Sequence, residues 1–127
     1  DEDMTPMAEM LKVNTTLTTI ELDHISIDAD SMNYIAEALK VNNTLTSIDM
    51  EGNPIGNDGV LYITEALKLN STLVEINLQE IELGQVTQRY FIDALKVNIT
   101  LTDIHAEVFC VIDSDDRLKV NSLLQRN

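Results

Sequence analysis

The feature that most constrains this chain is a repetition with a period of 28 residues. Leu11-Lys12-Val13-Asn14, Leu39-Lys40-Val41-Asn42, Leu67-Lys68-Leu69-Asn70 and Leu95-Lys96-Val97-Asn98 follow one another at that step. Leu17, Leu45, Leu73 and Leu101 keep the same register, and so do Ile20, Ile48, Ile76 and Ile104. A degenerate copy, Leu124-Gln125-Arg126-Asn127, ends the sequence after a step of 29. A unit of this size cannot bury its apolar face alone, so the repetition predicts a stack of units sharing one continuous core.

The hydrophobic period changes within each unit. Leu45-Thr46-Ser47-Ile48-Asp49-Met50 alternates as a short strand does. Asn53-Pro54-Ile55-Gly56 is turn chemistry, with Gly52, Gly56 and Gly59 serving the same turn. Asn57 or Asp58 can then cap a helix beginning near Gly59. Val60, Ile63 and Leu67 form one apolar helical stripe, and Asn70 is expected to end that helix in the left-handed conformation. Carried along the chain, this predicts parallel strands near 18–22, 46–50, 74–78 and 102–106. Helices are expected near 5–13, 31–41, 58–69, 85–97 and 114–125. The expected core is Leu17, Ile20, Leu22, Leu45, Ile48, Met50, Leu73, Ile76, Leu78, Leu101 and Ile104.

The segment Leu45-x-x-Ile48-x-Met50-x-x-Asn53-x-Ile55 resembles the leucine-rich-repeat motif L-x-x-L-x-L-x-x-N-x-L. The period and the long helix resemble the ribonuclease-inhibitor-like subclass. The Leu-Lys-Val-Asn-x-Thr-Leu-Thr phrasing is similar to the C-terminal repeats of tropomodulins, although no actin-binding element is identifiable in it. The resemblance implies an α/β fold, a right-handed leucine-rich-repeat solenoid with a short parallel sheet on the concave side and helices on the convex side. One domain over 1–127 is expected, with an opening helical unit at 4–16 and repeats at about 17–44, 45–72, 73–100 and 101–127. The opening at Asp1 without an initiator Met is the form of a piece of a longer protein. One departure stands out. The motif Asn is present at Asn53, whereas Ile25, Ile81 and Phe109 hold the equivalent positions. The Asn53 amide is expected to bond backbone groups near 51–55, with Ile25 and Ile81 as apolar plugs.

Composition narrows the functional classes. The formal net charge is −14, which repels phosphate backbones and anionic lipid, so neither nucleic acid nor a membrane is an expected partner. Aromatic residues make up 4% of the chain, so the core must be aliphatic. The single cysteine, Cys110, permits no intrachain disulfide and favours a reducing, cytoplasmic setting. Its neighbours Phe109 and Val111 suggest a buried inert thiol. His24 and His105 are the only histidines, and no nucleophile–base pair, phosphate loop or metal spacing can be drawn. The chain reads as a non-enzyme without a cofactor or metal.

Several ladders follow from the repeat. Glu9, Glu37, Glu65 and Asp93 precede Lys12, Lys40, Lys68 and Lys96 by three residues, a spacing for ion pairs on a helix surface. Tyr34, Tyr62 and Tyr90 form a second ladder at the helical layer. Four N-glycosylation sequons, beginning at Asn14, Asn42, Asn70 and Asn98, arise from the repeat itself and read as structural.

The concave strand positions carry the functional expectation. They are Thr19, Glu21 and Asp23; Ser47, Asp49 and Glu51; Glu75, Asn77 and Gln79; and Asp103, His105 and Glu107. Seven of the twelve are acidic and none is Lys or Arg. Like charges on neighbouring strands cost stability, and a basic protein partner would relieve that cost. The expected partner-binding residues are therefore Glu21, Asp23, Asp49, Glu51, Glu75, Asp103, His105 and Glu107. The host is expected to be an adaptor, a scaffold or an effector delivered into another cell. The alternatives are a regulatory repeat domain of a larger enzyme or switch, and a C-terminal capping array, for which Ala106 in place of a large apolar residue speaks.

Overall fold

A computed structural model describes residues 3–106 and 114–127, with side chains described over 3–106 and 119–127. Helix and strand alternate in the order α1 (Thr5–Val13), β1 (Thr19–Glu21), α2 (Ala29–Leu39), β2 (Ser47–Asp49), α3 (Gly56–Leu67), β3 (Glu75–Asn77), α4 (Val86–Leu95), β4 (Asp103–His105) and α5 (Ser114–Arg126). The strands form one parallel sheet in the order β1-β2-β3-β4. Its register pairs Ile20 with Ile48, Ile48 with Ile76 and Ile76 with Ile104, each exactly one repeat apart in sequence. The solenoid expected from the repeat is the fold. The strands are shorter than the alternation suggests, but their pairing continues into the turns. Leu22 N–H donates to the Asp49 carbonyl and His24 N–H to that of Glu51, both at 2.8 Å.

Between sheet and helices lies the aliphatic core. Leu22, Leu45, Ile48, Met50, Leu73, Ile76, Leu78 and Leu101 are buried. Leu17, Ile20 and Ile104 are only half-buried, against expectation. They belong to the first and last units of the sheet, where a neighbour covers one side only. Each helix packs on the next, from α1 on α2 through α4 on α5.

The corner where each helix returns to its strand is held by an asparagine ladder. Asn70 is 5% exposed. Its Nδ2 donates to the carbonyls of Leu39 and Asn42 at 2.8 and 3.2 Å, while its Oδ1 accepts from the N–H groups of Thr72 and Leu73 at 3.0 and 2.8 Å. Asn98 repeats the pattern on Leu67, Asn70, Thr100 and Leu101. Asn42 does so on Leu11, Thr44 and Leu45. Asn127 continues the row by donating to Asn98 and Leu101 carbonyls. The expected left-handed end at Asn70 is therefore wrong. Among the described residues, non-glycine positive φ occurs at His24, Ser26 and Glu80. The side chain satisfies the orphan helix-end carbonyls, so the backbone need not reverse. Burial of these amides also agrees with a structural role for the sequon asparagines.

The opposite corner, from strand to helix, is irregular. Asp28 caps α2, accepting from Ser31 N–H at 2.9 Å, which starts that helix at Ala29 rather than 31. Neither Asn57 nor Asp58 caps α3, whose preceding residue is Ile55. Asn57 is used elsewhere, accepting from Gly84 N–H of the next repeat at 2.8 Å. Gly56, at φ +64, turns the chain into α3, which begins two residues earlier than the expected 58. Asn53 donates to Met50 and Glu51 carbonyls as expected, but also reaches back one repeat. It donates to Leu22 O at 2.7 Å and accepts from the N–H groups of Ile25 and Ile27 at 3.1 and 3.0 Å. One asparagine thus serves two turns, which is how the first repeat does without its own. Ile81 is buried as an apolar plug, and Ile25 is half-buried. Phe109 and Cys110 lie outside the described residues.

Candidate protein-binding face

The parallel sheet turns its uncovered side to solvent. A shallow concavity of about 270 Å³ lies on it, lined by Thr19, Glu21, Ser47, Asp49, Glu75, Asn77, Gln79 and His105. Of the residues singled out from sequence, Glu21, Asp49, Glu75 and His105 therefore share one surface. Asp103 faces the C-terminal edge, in a concavity with Thr102, His105 and Gln125. Asp23 and Glu51 sit at the rim rather than on the floor, and Glu107 lies outside the described residues.

The register brings Glu21 beside Asp49 and Glu75 beside Asp103. The second rung is partly relieved within the chain, because His105 Nε2 lies 2.9 Å from Glu75 Oε1. Asn77 Nδ2 likewise donates to Glu51 Oε2 at 3.0 Å. The like-charge repulsion expected between neighbouring strands is thus concentrated on Glu21 and Asp49. Among the described residues, no lysine is paired with a carboxylate of this surface. Lys12, Lys40 and Lys68 hold Glu9, Glu37 and Glu65 on the helical layer at 2.7–3.0 Å, and Lys96 lies 3.9 Å from Asp93.

At the rim, His24 makes a contact that the sequence did not suggest. Its Nε2 lies 2.8 Å from Glu80 Oε2, two repeats away, and its Nδ1 lies 3.6 Å from Asp23 Oδ2. The hydrogen bond to Glu80, and then that to Asp23, raises the imidazole's pKa above its ordinary value. His24, Gly52 and Glu80 are equivalent positions of successive units, and all three have left-handed backbone, at φ 54, 70 and 55. Gly52 has no Cβ to occupy the space that the His24 ring fills. The 28-residue spacing of these positions was the available signal.

A second feature also went unread. Val13, Val41, Leu69 and Val97 are 79, 60, 67 and 58% exposed, and Ile99 is 71% exposed. The first four are equivalent positions at the helix-to-strand corner, so the repeat sets a line of solvent-facing aliphatic side chains there. Helical periodicity could have found them, because each lies two residues beyond a buried leucine of the core stripe.

Comparison with known proteins agrees with this architecture. The family model for the TMOD/LMOD leucine-rich domain matches residues 1–127. Leiomodin-1 actin-binding site 2 superposes with a TM-score of 0.87 and 29% identity, over 97% of this chain and 70% of that one. A tropomodulin C-terminal domain from Caenorhabditis elegans has the same fold, with a TM-score of 0.63 and 12% identity over 98% of this chain and 93% of that one. No curated protein sequence gives a significant match.

Proposed function

Because the chain belongs to the TMOD/LMOD leucine-rich domain family, we propose that it is a non-enzymatic protein-binding module whose partner is actin. The observation that carries this reading is the likeness to leiomodin-1 actin-binding site 2 along nearly the whole chain. We assign docking to the concave acidic face around Glu21, Asp49, Glu75 and His105, with Asp23, Glu51 and Asp103 at its margins. A partner segment bearing Lys or Arg would relieve the unneutralised Glu21–Asp49 rung. The acidic field would also steer that segment into place. Action inside the cell fits the lone cysteine, and a scaffold role in one continuous 1–127 domain fits the stacked repeats. No described helix is long and apolar enough to cross a membrane.

The line of Val13, Val41, Leu69 and Val97 supports a second reading, in which the apolar corner carries the contact. Charge reversal separates the two. Glu21→Lys with Asp49→Lys, checked for folding by circular dichroism, is expected to slow actin association on the order of tenfold at low salt. The remaining association should depend less on ionic strength. Unchanged association together with unchanged salt dependence would move the contact off the concave face.

A further inference from the structure

We propose that His24, Glu51 and Glu80 form a binding site for a zinc-class divalent cation at the rim of the sheet. One imidazole nitrogen and two carboxylate oxygens from three successive repeats lie within 4.8 Å of one another. This donor set suits borderline transition ions, for which a neutral imidazole is a preferred ligand. Calcium and magnesium favour oxygen-only shells with more ligands. Ligand distances of about 2 Å around tetrahedral zinc place neighbouring ligand atoms about 3.3 Å apart. The His24–Glu80 pair, at 2.8 Å, has only to open slightly, and Glu51 has to close in. Side chains at an exposed rim can make that adjustment by rotation.

Two further contacts orient the ligands. Asp23 lies beside Nδ1 of His24, the ring nitrogen left over when Nε2 faces the cation. A carboxylate in that place fixes the tautomer and strengthens the imidazole as a ligand. Asn77 holds Oε2 of Glu51 at 3.0 Å, which leaves the other oxygen to turn toward the ion. The ring reaches Glu80 by lying across Gly52, where any side chain would collide with it. Beside Glu80, a concavity of about 370 Å³ lined by Gly52, Pro54 and Glu82 leaves room for water as the remaining ligand. The site joins the first unit to the third. In a solenoid, contacts otherwise run between neighbours, so a cation here would staple three repeats together.

The experiment is a calorimetric titration of the whole chain with zinc chloride at neutral pH, with magnesium and calcium chloride as comparators. Saturable 1:1 zinc binding is expected, with magnesium and calcium much weaker. His24→Asn, which tolerates the left-handed backbone, and Glu80→Gln should each weaken it by roughly tenfold or more. His105→Asn and Cys110→Ser should leave it intact. Zinc should also raise the melting temperature of the parent chain and not that of His24→Asn. The proposal is overturned if no saturable site exists, if His24→Asn and Glu80→Gln bind as the parent does, or if binding is lost in Cys110→Ser.

Discussion

The two rims of this solenoid are built on opposite principles. Where helix returns to strand, one asparagine does the same task in unit after unit, and threonines assist it. Thr44, Thr72 and Thr100 hydroxyls donate to the carbonyls of Leu17, Leu45 and Leu73 at 3.1, 3.2 and 3.3 Å. Where strand turns into helix, His24, Gly52 and Glu80 share a left-handed backbone, but the closing side chain differs in each described unit. The turn is closed by Asp28 in one, by Asn53 and Gly56 in the next, and by Thr87 on the Gly84 carbonyl in the third. A buried polar ladder tolerates little variation, because every vacancy leaves backbone groups without partners. A solvent-facing turn can change its chemistry at small cost. The uniform rim is scaffold, and the variable rim, with the sheet it borders, is where individual properties can be placed.

The sharpest way to break this contrast is on the uniform rim. Asn70→Ala removes five hydrogen bonds at a site that is 5% exposed. It should destabilise the fold by about 3 kcal/mol, since at least two buried backbone groups lose their partners. Urea unfolding measures this, and a loss below about 1 kcal/mol would show that water readily takes the place of the amide.

On the variable rim the expected effect is smaller. Gly52→Ala puts a Cβ on left-handed backbone and against the His24 ring. A cost of about 1–2 kcal/mol is expected from the backbone alone. The imidazole signals of His24 should move in a proton spectrum as the ring is displaced from Glu80. Unmoved signals would mean that the ring does not lie across Gly52.

The helical layer should respond less still. Lys68→Ala removes a pair that is one-third to one-half exposed, so the change in stability should stay within about 0.5 kcal/mol. A larger loss would promote the lysine ladder from surface to scaffold.

The smallest effect is expected at the Asp28 cap. The Ser31 backbone N–H holds the Asp28 carboxyl below its usual pKa of 3.8. A lowered folded-state pKa contributes stability that is complete above 3.8 and lost as pH falls through the folded value. The start of α2 should therefore fray in that acid range while α3, which has no such cap, does not change there. Amide shifts at Ser31 and at Asp58 followed through an acid titration would detect the difference.

The contrast also explains what the sequence disclosed. Periodic features were legible: the sheet register through Ile20, Ile48, Ile76 and Ile104, the helices, the lysine ladder and most of the core. They depend on spacing alone, and spacing survives in the sequence. The ends of the array were misjudged at Leu17, Ile20 and Ile104, because burial there depends on having a neighbour and not on residue type. The aperiodic contacts were hidden for another reason. His24 to Glu80 spans 56 residues and depends on two left-handed residues and a glycine between them. Asn53 serving the turn of the preceding repeat depends on how two units nest. On the concave face, chemistry was legible and position was not. Glu21, Asp49 and Glu75 share the floor, while Asp23 and Glu51 turn to the rim.

Methyl cross-saturation between the proposed partner, actin, and the labelled chain tests most directly which surface makes the contact. The Thr19 methyl reports the concave floor, and the methyls of Val13, Val41, Leu69 and Val97 report the uniform corner. If the acidic face docks actin, irradiating actin should attenuate Thr19 and leave the corner methyls at full intensity. Attenuation of the corner methyls with Thr19 unaffected would contradict the account.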